Sequence, residues 1–321
     1  MGFRGAPAMT TLMNAGHEGQ GGARNAFGKP LCARVACGYA DTTSGGILTS
    51  TRVKATVTGA ILLCAALVSY HSLSGPGNAP PPPGGYFTLK PVGAYASLPS
   101  DAAAAAEVHR SGWEPRPGNS SHNQTVPGKL KLRPVSIASR AYSPLWNKYI
   151  LDRITGDFRG TTDEIFQWAA AKWGLPDNLL RTVAYMESGW RQSNFGDYVD
   201  DPAQCPHGYQ AIPCPTTFGI VGTKSTSWPG IFPWNRDSTA AAVDVLGGWL
   251  RGCYEGWVWW LGEHGNRSRG VYRAGNIWGC VGAWYSGNWL DGSVSNPRSG
   301  ENYIYRAQHW YRTRPWLASW F

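Results

Sequence analysis

Residues 183–192 read VAYMESGWRQ, and in them a carboxylate, Glu187, closes an otherwise apolar helical stretch. Leu180, Val183 and Ala184 lie seven, four and three positions before it, so Glu187 shares their face of the helix. A carboxylate carried onto an inward face is costly to ionise. Its pKa rises and it holds its proton near neutral pH, as a general acid must. The competing reading is a solvated Glu at a helix end, or one paired with Arg191. Few other residue sets suggest chemistry. His207, His264 and His309 lack metal-ligand spacing, there is no CxxC, no Gly-x-Ser-x-Gly elbow and no phosphate-binding glycine loop opening a helix after a strand. The sequence therefore calls for no metal and no cofactor.

The elements that position Glu187 are legible from their caps. TTDEIFQWAAAKWG, 161–174, opens on Thr161/Thr162 with Asp163 and Glu164 in its first turn and ends at Gly174. Pro176 starts a second helix that runs to about Gly189. A third, opened by Asp237 or Ser238 and running to about 260, carries Val243, Leu246, Leu250, Cys253 and Trp257 on one face. Gly247 and Gly248 within it cost helix stability and suit close packing against a neighbour. A last helix spans about 301–312. The region 194–236 reads as Pro/Gly-rich loop, and no strand-like alternation of any length appears. The expected fold class is mainly α.

The chain of 321 residues divides by composition. Fifteen of its 17 Trp lie between Trp168 and Trp320, which places the packed domain in the C-terminal part. Residues 161–321 hold 13 Lys+Arg and 13 Asp+Glu, so the net charge of +9 belongs to residues 1–160. A neutral folded part speaks against nucleic acid as a partner; the basic part suits an anionic surface or a solvated linker. Residues 1–54 form a low-complexity leader. Residues 55–74 contain a 16-residue apolar run behind Arg52 and Lys54, shorter than the roughly 20 a spanning helix needs, and read as a signal peptide or signal anchor. Residues 75–142 read as a disordered, Pro/Gly-rich linker without a core of its own, apart from a short helix at SDAAAAAEVH, and the domain occupies 143–321. Four cysteines fall in the domain: Cys205, Cys214, Cys253 and Cys280. Behind an export signal an even number suggests two disulfides. Three pairings exist, with the local Cys205–Cys214 pair preferred and Cys253–Cys280 following from it.

The stretch GLPDNLLRTVAYMES resembles the N-terminal signature of the lytic transglycosylase domain, a helix followed by Gly-Leu-Pro and a second helix ending in Glu-Ser. FGIVG, 218–222, sits where that family has Gly-Leu-Met-Gln. WGCVGAWYSGNW, 278–289, resembles its Tyr-Asn/Ser-Ala/Gly block, and ENYIYRAQHW, 301–310, its terminal helix. The resemblance covers about 160–316, most closely secreted actinobacterial members. It implies a lysozyme-like α fold, preceded here by the N-terminal region, in a secreted or cell-envelope protein. The implied partner is the glycan strand of peptidoglycan, with membrane contact only through the N-terminal segment and a monomeric state. It further implies Glu187 as catalytic acid/base and Ser188 as the hydroxyl orienting it. Gly219 and Ile220 become the groove-lining loop; Tyr285, Ser286, Gly287 and Glu301 become saccharide-contacting or conserved-type positions, with Tyr303 or Tyr305 as the matching tyrosine. Gly222 stands where the family has Gln, for which Gln192 or Thr223 would have to substitute.

The implied reaction cleaves the bond between N-acetylmuramic acid and N-acetylglucosamine and closes a 1,6-anhydro ring, with one carboxylate sufficing. A hydrolytic muramidase would add a second carboxylate, for which Asp197, Asp200 and Asp201 are the candidates. A non-catalytic wall binder would rely on aromatic clusters such as WVWW, 257–260, whose residues are otherwise core.

Overall fold

The computed structural model describes residues 77–133, 144–209, 211–263, 270–290 and 293–321. The leader and the apolar run expected as a signal peptide lie outside them. Among the described residues no helix is long and apolar enough to cross a membrane.

The protein is mainly α-helical. Two helices form its centre: α4 (Thr162–Trp173) and α7 (Thr239–Tyr254), every residue of both being buried. Around them lie α1 (Asp101–Ala106), α2 (Ser120–Gln124), α3 (Pro144–Tyr149), α5 (Asp177–Ser188), α6 (Trp234–Asp237), α8 (Ile277–Ser286) and α9 (Gly300–Thr313). The capping signals act as expected. Thr161 and Glu164 form a reciprocal capping box, Gly174 and Gly189 end α4 and α5 in left-handed conformation, and Ser238 caps α7. The third helix ends at Tyr254, short of the expected 260. Its glycines let it approach its neighbours. A Cβ on Gly247 would lie 2.2 Å from the Trp173 ring, and one on Gly252 2.3 Å from Trp146. WVWW is packing surface: Val258 is fully buried, and Trp257 and Trp260 lie against Tyr95 and Trp249.

Two expectations are corrected. The first is the linker. Residues 77–133 are laid against the helices. Chain outside helices and sheets leaves many of its N–H groups unspent, and several in this segment satisfy carboxylates on or beside the helices. Asp177 accepts from the amides of Tyr86 and Phe87, Glu164 from Ser111, and Glu255 from Gly93. Asn119 and Asn123 are buried, and both donate to Thr162 Oγ1. Trp113 meets Trp190 edge-on at 6.0 Å. The packed body therefore begins well before residue 143.

The second correction is a small antiparallel sheet in the region expected to be loop. It contains β1 (Phe195–Val199), β2 (Cys214–Phe218) and β3 (Thr223–Lys224), in that order. Phe195 pairs with Phe218 and Val199 with Cys214, and Thr217 and Phe218 pair with Lys224 and Thr223. β1, FGDYV, shows no period-two alternation in residue type or burial, and Asp197 within it has φ +50°. Disulfide Cys205–Cys214 closes the β1–β2 connection, and Cys253–Cys280 joins α7 to α8. Two such bonds suit an extracytoplasmic environment.

Candidate active site

Glu187 lies in the last turn of α5, where Gly189 ends the helix. Leu180, Val183 and Ala184 on its face are fully buried. The stripe thus delivers the carboxyl to the edge of the core, and three elements meet it there. From α9, Tyr303 donates its hydroxyl to Glu187 Oε1 at 2.5 Å. From α8, Tyr285 stacks on Tyr303 with ring centroids 4.5 Å apart and planes 10° from parallel. From the loop between β2 and β3, Gly222 covers the other oxygen. Its φ is +64°, and a Cβ there would lie 2.7 Å from Glu187 Oε2.

The loop is tied to the end of α5 by uncharged side chains. Ser188 Oγ donates to the Ile220 carbonyl (2.7 Å), and Gln192 Oε1 accepts from the Ile220 amide (3.0 Å). Gln192 Nε2 donates to the carbonyls of Asn235 and Arg236, and the Gly219 amide donates to the Asn194 carbonyl. Gly219 is required at its position: its φ is +82°, and a Cβ would lie 2.2 Å from the Asn235 carbonyl oxygen.

Burial pushes the Glu187 pKa up to about 7, with the charge of Asp197 adding to the rise; the Tyr303 hydrogen bond and the charge of Arg306 oppose it. Tyr303 is raised well above the usual tyrosine value, first by its own burial and then by Glu187, so it remains a hydroxyl donor. Asp197 is also raised, chiefly by burial, against the effects of Thr217 and Lys224. Thr217 Oγ1 donates to Asp197 Oδ2 at 2.8 Å, and Lys224 Nζ lies 3.8 Å from the same oxygen. A Cβ on Gly222 would stand 3.5 Å from the Thr217 methyl, so Glu187, Gly222, Thr217 and Asp197 form one continuous wall.

The structure brings together Glu187, Tyr303 and Tyr285 from the sequence-derived set. It decides for Tyr303 over Tyr305, which is 61 % exposed two positions along the helix. Glu301 stands in the first turn of α9, partly buried. The other residues of that set have structural engagements of their own. Ser188 holds the loop and does not orient the carboxyl. Gly219 and Ile220 are buried, and both backbone groups of Ile220 are already engaged. Ser286 Oγ is spent on the carbonyls of Gly282 and Asn288, and Gly287 is the left-handed cap of α8. Gln192 and Thr223 are fully buried, so neither replaces an amide at position 222. Of the candidate second carboxylates, Asp197 reaches the site, whereas Asp201 caps the short turn Pro202–Gln204 and is exposed. Thr217 and Arg306 carry no sequence signal; the positive φ that sets Asp197 is equally silent in the residue types. Among the described residues no group of three or more His, Cys, Asp or Glu is placed to hold a metal ion.

The chain matches no family model, no curated protein and no solved structure.

Proposed function

We propose that the protein cleaves peptidoglycan glycan strands as a lytic transglycosylase, with Glu187 as its general acid and base. The observation that carries this reading is a carboxyl poised near 7 by burial and held by the Tyr303 hydroxyl. A group with that pKa gives and takes a proton with similar ease at neutral pH. In the reaction Glu187 gives its proton to the oxygen between N-acetylmuramic acid and N-acetylglucosamine as the bond from that oxygen to the anomeric carbon breaks. The substrate's 2-acetamido group stabilises the positive charge. Glu187, now a carboxylate, takes the proton of the 6-hydroxyl, whose oxygen bonds to the anomeric carbon and closes the 1,6-anhydro ring. Tyr303 stabilises the carboxylate between the two transfers. The disulfides suit the extracytoplasmic place such a substrate requires.

Asp197 favours a second reading, a hydrolytic muramidase. A non-glycine residue at positive φ costs about 1–2 kcal/mol, and here that conformation turns a carboxylate toward the Glu187 wall. There it would activate a water, giving a reducing end in place of the anhydro ring. Mass spectrometry of soluble products from peptidoglycan, with Glu187→Gln as control, decides. Anhydro-muropeptides from the wild type alone support the transglycosylase, and reducing ends the muramidase. Wall binding without products from either protein would sink both readings in favour of a binder.

A further inference from the structure

Arg306 lies on the face of α9 that meets α5. Tyr303, Arg306, Ala307 and Trp310 recur at three- and four-residue steps. At one end of this row Tyr303 bonds Glu187; at the other Trp310 packs edge-on against Tyr185, with centroids 5.2 Å apart. Arg306 falls between the two contacts and is partly buried.

Arg306 lacks a side-chain partner among the described residues. Arg181 and Arg251, fully buried, bond Asp163, Asp177 and Glu255. Among the partly buried arginines, Arg116 and Arg153 donate to backbone carbonyls and Arg236 to Asp237, while Arg314 keeps a buried, unbonded Nε. No ion pair or hydrogen bond involves the Arg306 guanidinium among the described residues. Arg298, exposed just before α9, likewise has no ion pair, and both charges are felt at Tyr285. Residues 161–321 balance their charges. The Arg306 guanidinium, whose charge is felt at Glu187 and Tyr285 and which makes no ion pair of its own among the described residues, is thus open to an anion from outside the protein. A guanidinium fork fits a carboxylate in bidentate fashion.

Resting on the glycan-cleavage reading, we infer that Arg306 receives a carboxylate carried on the muramyl residue of the substrate and so selects anionic glycan strands over neutral ones. Muramyl residues differ from N-acetylglucosamine by a lactyl ether. Its carboxyl is either free or amide-linked to a peptide that bears carboxylates of its own, so the same chemistry has two sources.

The test measures binding to the full-length Glu187→Gln protein, which retains the strands uncut, with and without Arg306→Gln or Arg306→Lys. The probes are N-acetylglucosamine tetramer, peptide-bearing strands, and strands stripped by an amidase to expose the lactyl carboxylate. Arg306→Gln is expected to weaken anionic-strand binding about 10- to 100-fold, as for a lost charged hydrogen bond, and to leave the neutral tetramer unchanged. Arg306→Lys should retain part of the preference. Loss confined to peptide-bearing strands assigns the peptide as source, and loss confined to stripped strands the lactyl group. As a check free of the Arg306 variants, the anionic preference should shrink between about 50 mM and about 500 mM salt. Equal effects on neutral and anionic probes, no effect on either, or a salt-insensitive preference overturns the inference while leaving glycan cleavage standing. If no probe binds at all, the glycan reading fails and the inference with it.

Discussion

Replacing Glu187 by Gln should stabilise the protein at alkaline pH and do nothing for it in acid. Burial raises the carboxyl from 4.5 to about 7. Between those values the native state keeps a proton that the unfolded chain has released. Stability conferred by the neutral carboxyl is therefore complete below about pH 4.5 and is lost as pH rises to about 7. At about 1.4 kcal/mol per pKa unit the loss is about 3.5 kcal/mol, an upper figure because the residue keeps some solvent access. Gln has nearly the same shape, its carbonyl oxygen still accepts from Tyr303, and it carries no charge to desolvate. The difference in unfolding free energy between variant and wild type should thus be near zero at pH 4. It should rise across the window and level off above pH 7 at up to about 3.5 kcal/mol in favour of the variant. Urea unfolding of both oxidised proteins from pH 4 to 8 measures it without any assumption about substrate. A difference that does not vary with pH, or a variant less stable at pH 8, would refute the argument that burial controls this carboxyl.

Other perturbations reach the remaining parts of the site and fold. Tyr303→Phe removes a charge-assisted hydrogen bond worth about 1.5–3 kcal/mol, so the Glu187 pKa should climb by about one to two units, moving the alkaline limb of the pH–rate profile upward. Gly222→Ala should cost at least about 1 kcal/mol from its φ of +64° and displace the Glu187 carboxylate, lowering kcat more than it raises KM. Asp177→Asn leaves the buried Arg181 short of a counter-charge and weakens the bonds from Tyr86 and Phe87; a loss of about 3–5 kcal/mol in urea unfolding and faster proteolysis near residue 86 are expected. Replacing Cys205 and Cys214 together by Ser opens a connection of 9 residues and should lower stability by about 2–3 kcal/mol on the chain-entropy account, read as a drop in Tm.

What the sequence disclosed follows from how local each signal is. The bounds of α4 and α5 are written in Thr161, Glu164, Gly174, Pro176 and Gly189, residues whose effect is exerted within one turn. Both disulfides pair as the spacing favours. Glu187 betrays itself through seven-, four- and three-residue steps on one helix. The choice between Tyr303 and Tyr305 needed the phase of α9 against α5, which no residue on α9 specifies. The packing of residues 77–133 was hidden because its attraction lies in carboxylates some 50 to 160 positions away. A stretch such as GPGNAPPPPGG shows its own stiffness and not the Asp177 that its neighbours satisfy. β1 escaped notice because FGDYV, with Gly196 and Asp197 at its centre, shows no apolar alternation, and its pairing is supplied by β2, some 20 positions on.

The site keeps its acid neutral by directing charge elsewhere. Four buried cations are committed to carboxylates other than Glu187: Arg181 to Asp163 and Asp177, Lys172 to Asp101 and Asp244, Arg251 to Glu255, and Lys224 to Asp197. The loop over Glu187 is fastened by Ser188 and Gln192, neither of which brings a charge. Gly222 stands close enough to Oε2 that a Cβ on it would clash at 2.7 Å, yet its own N–H is spent on the Gly219 carbonyl and offers the carboxylate no donor. Desolvation without donors raises a carboxyl's pKa, and one hydroxyl, Tyr303, then restrains the rise to about 7. An amide side chain at position 222 would have supplied a donor and favoured the ionised form. Glycine there leaves Oε2 without a donor, and the departure from the transglycosylase pattern at that position is compatible with proton transfer by Glu187.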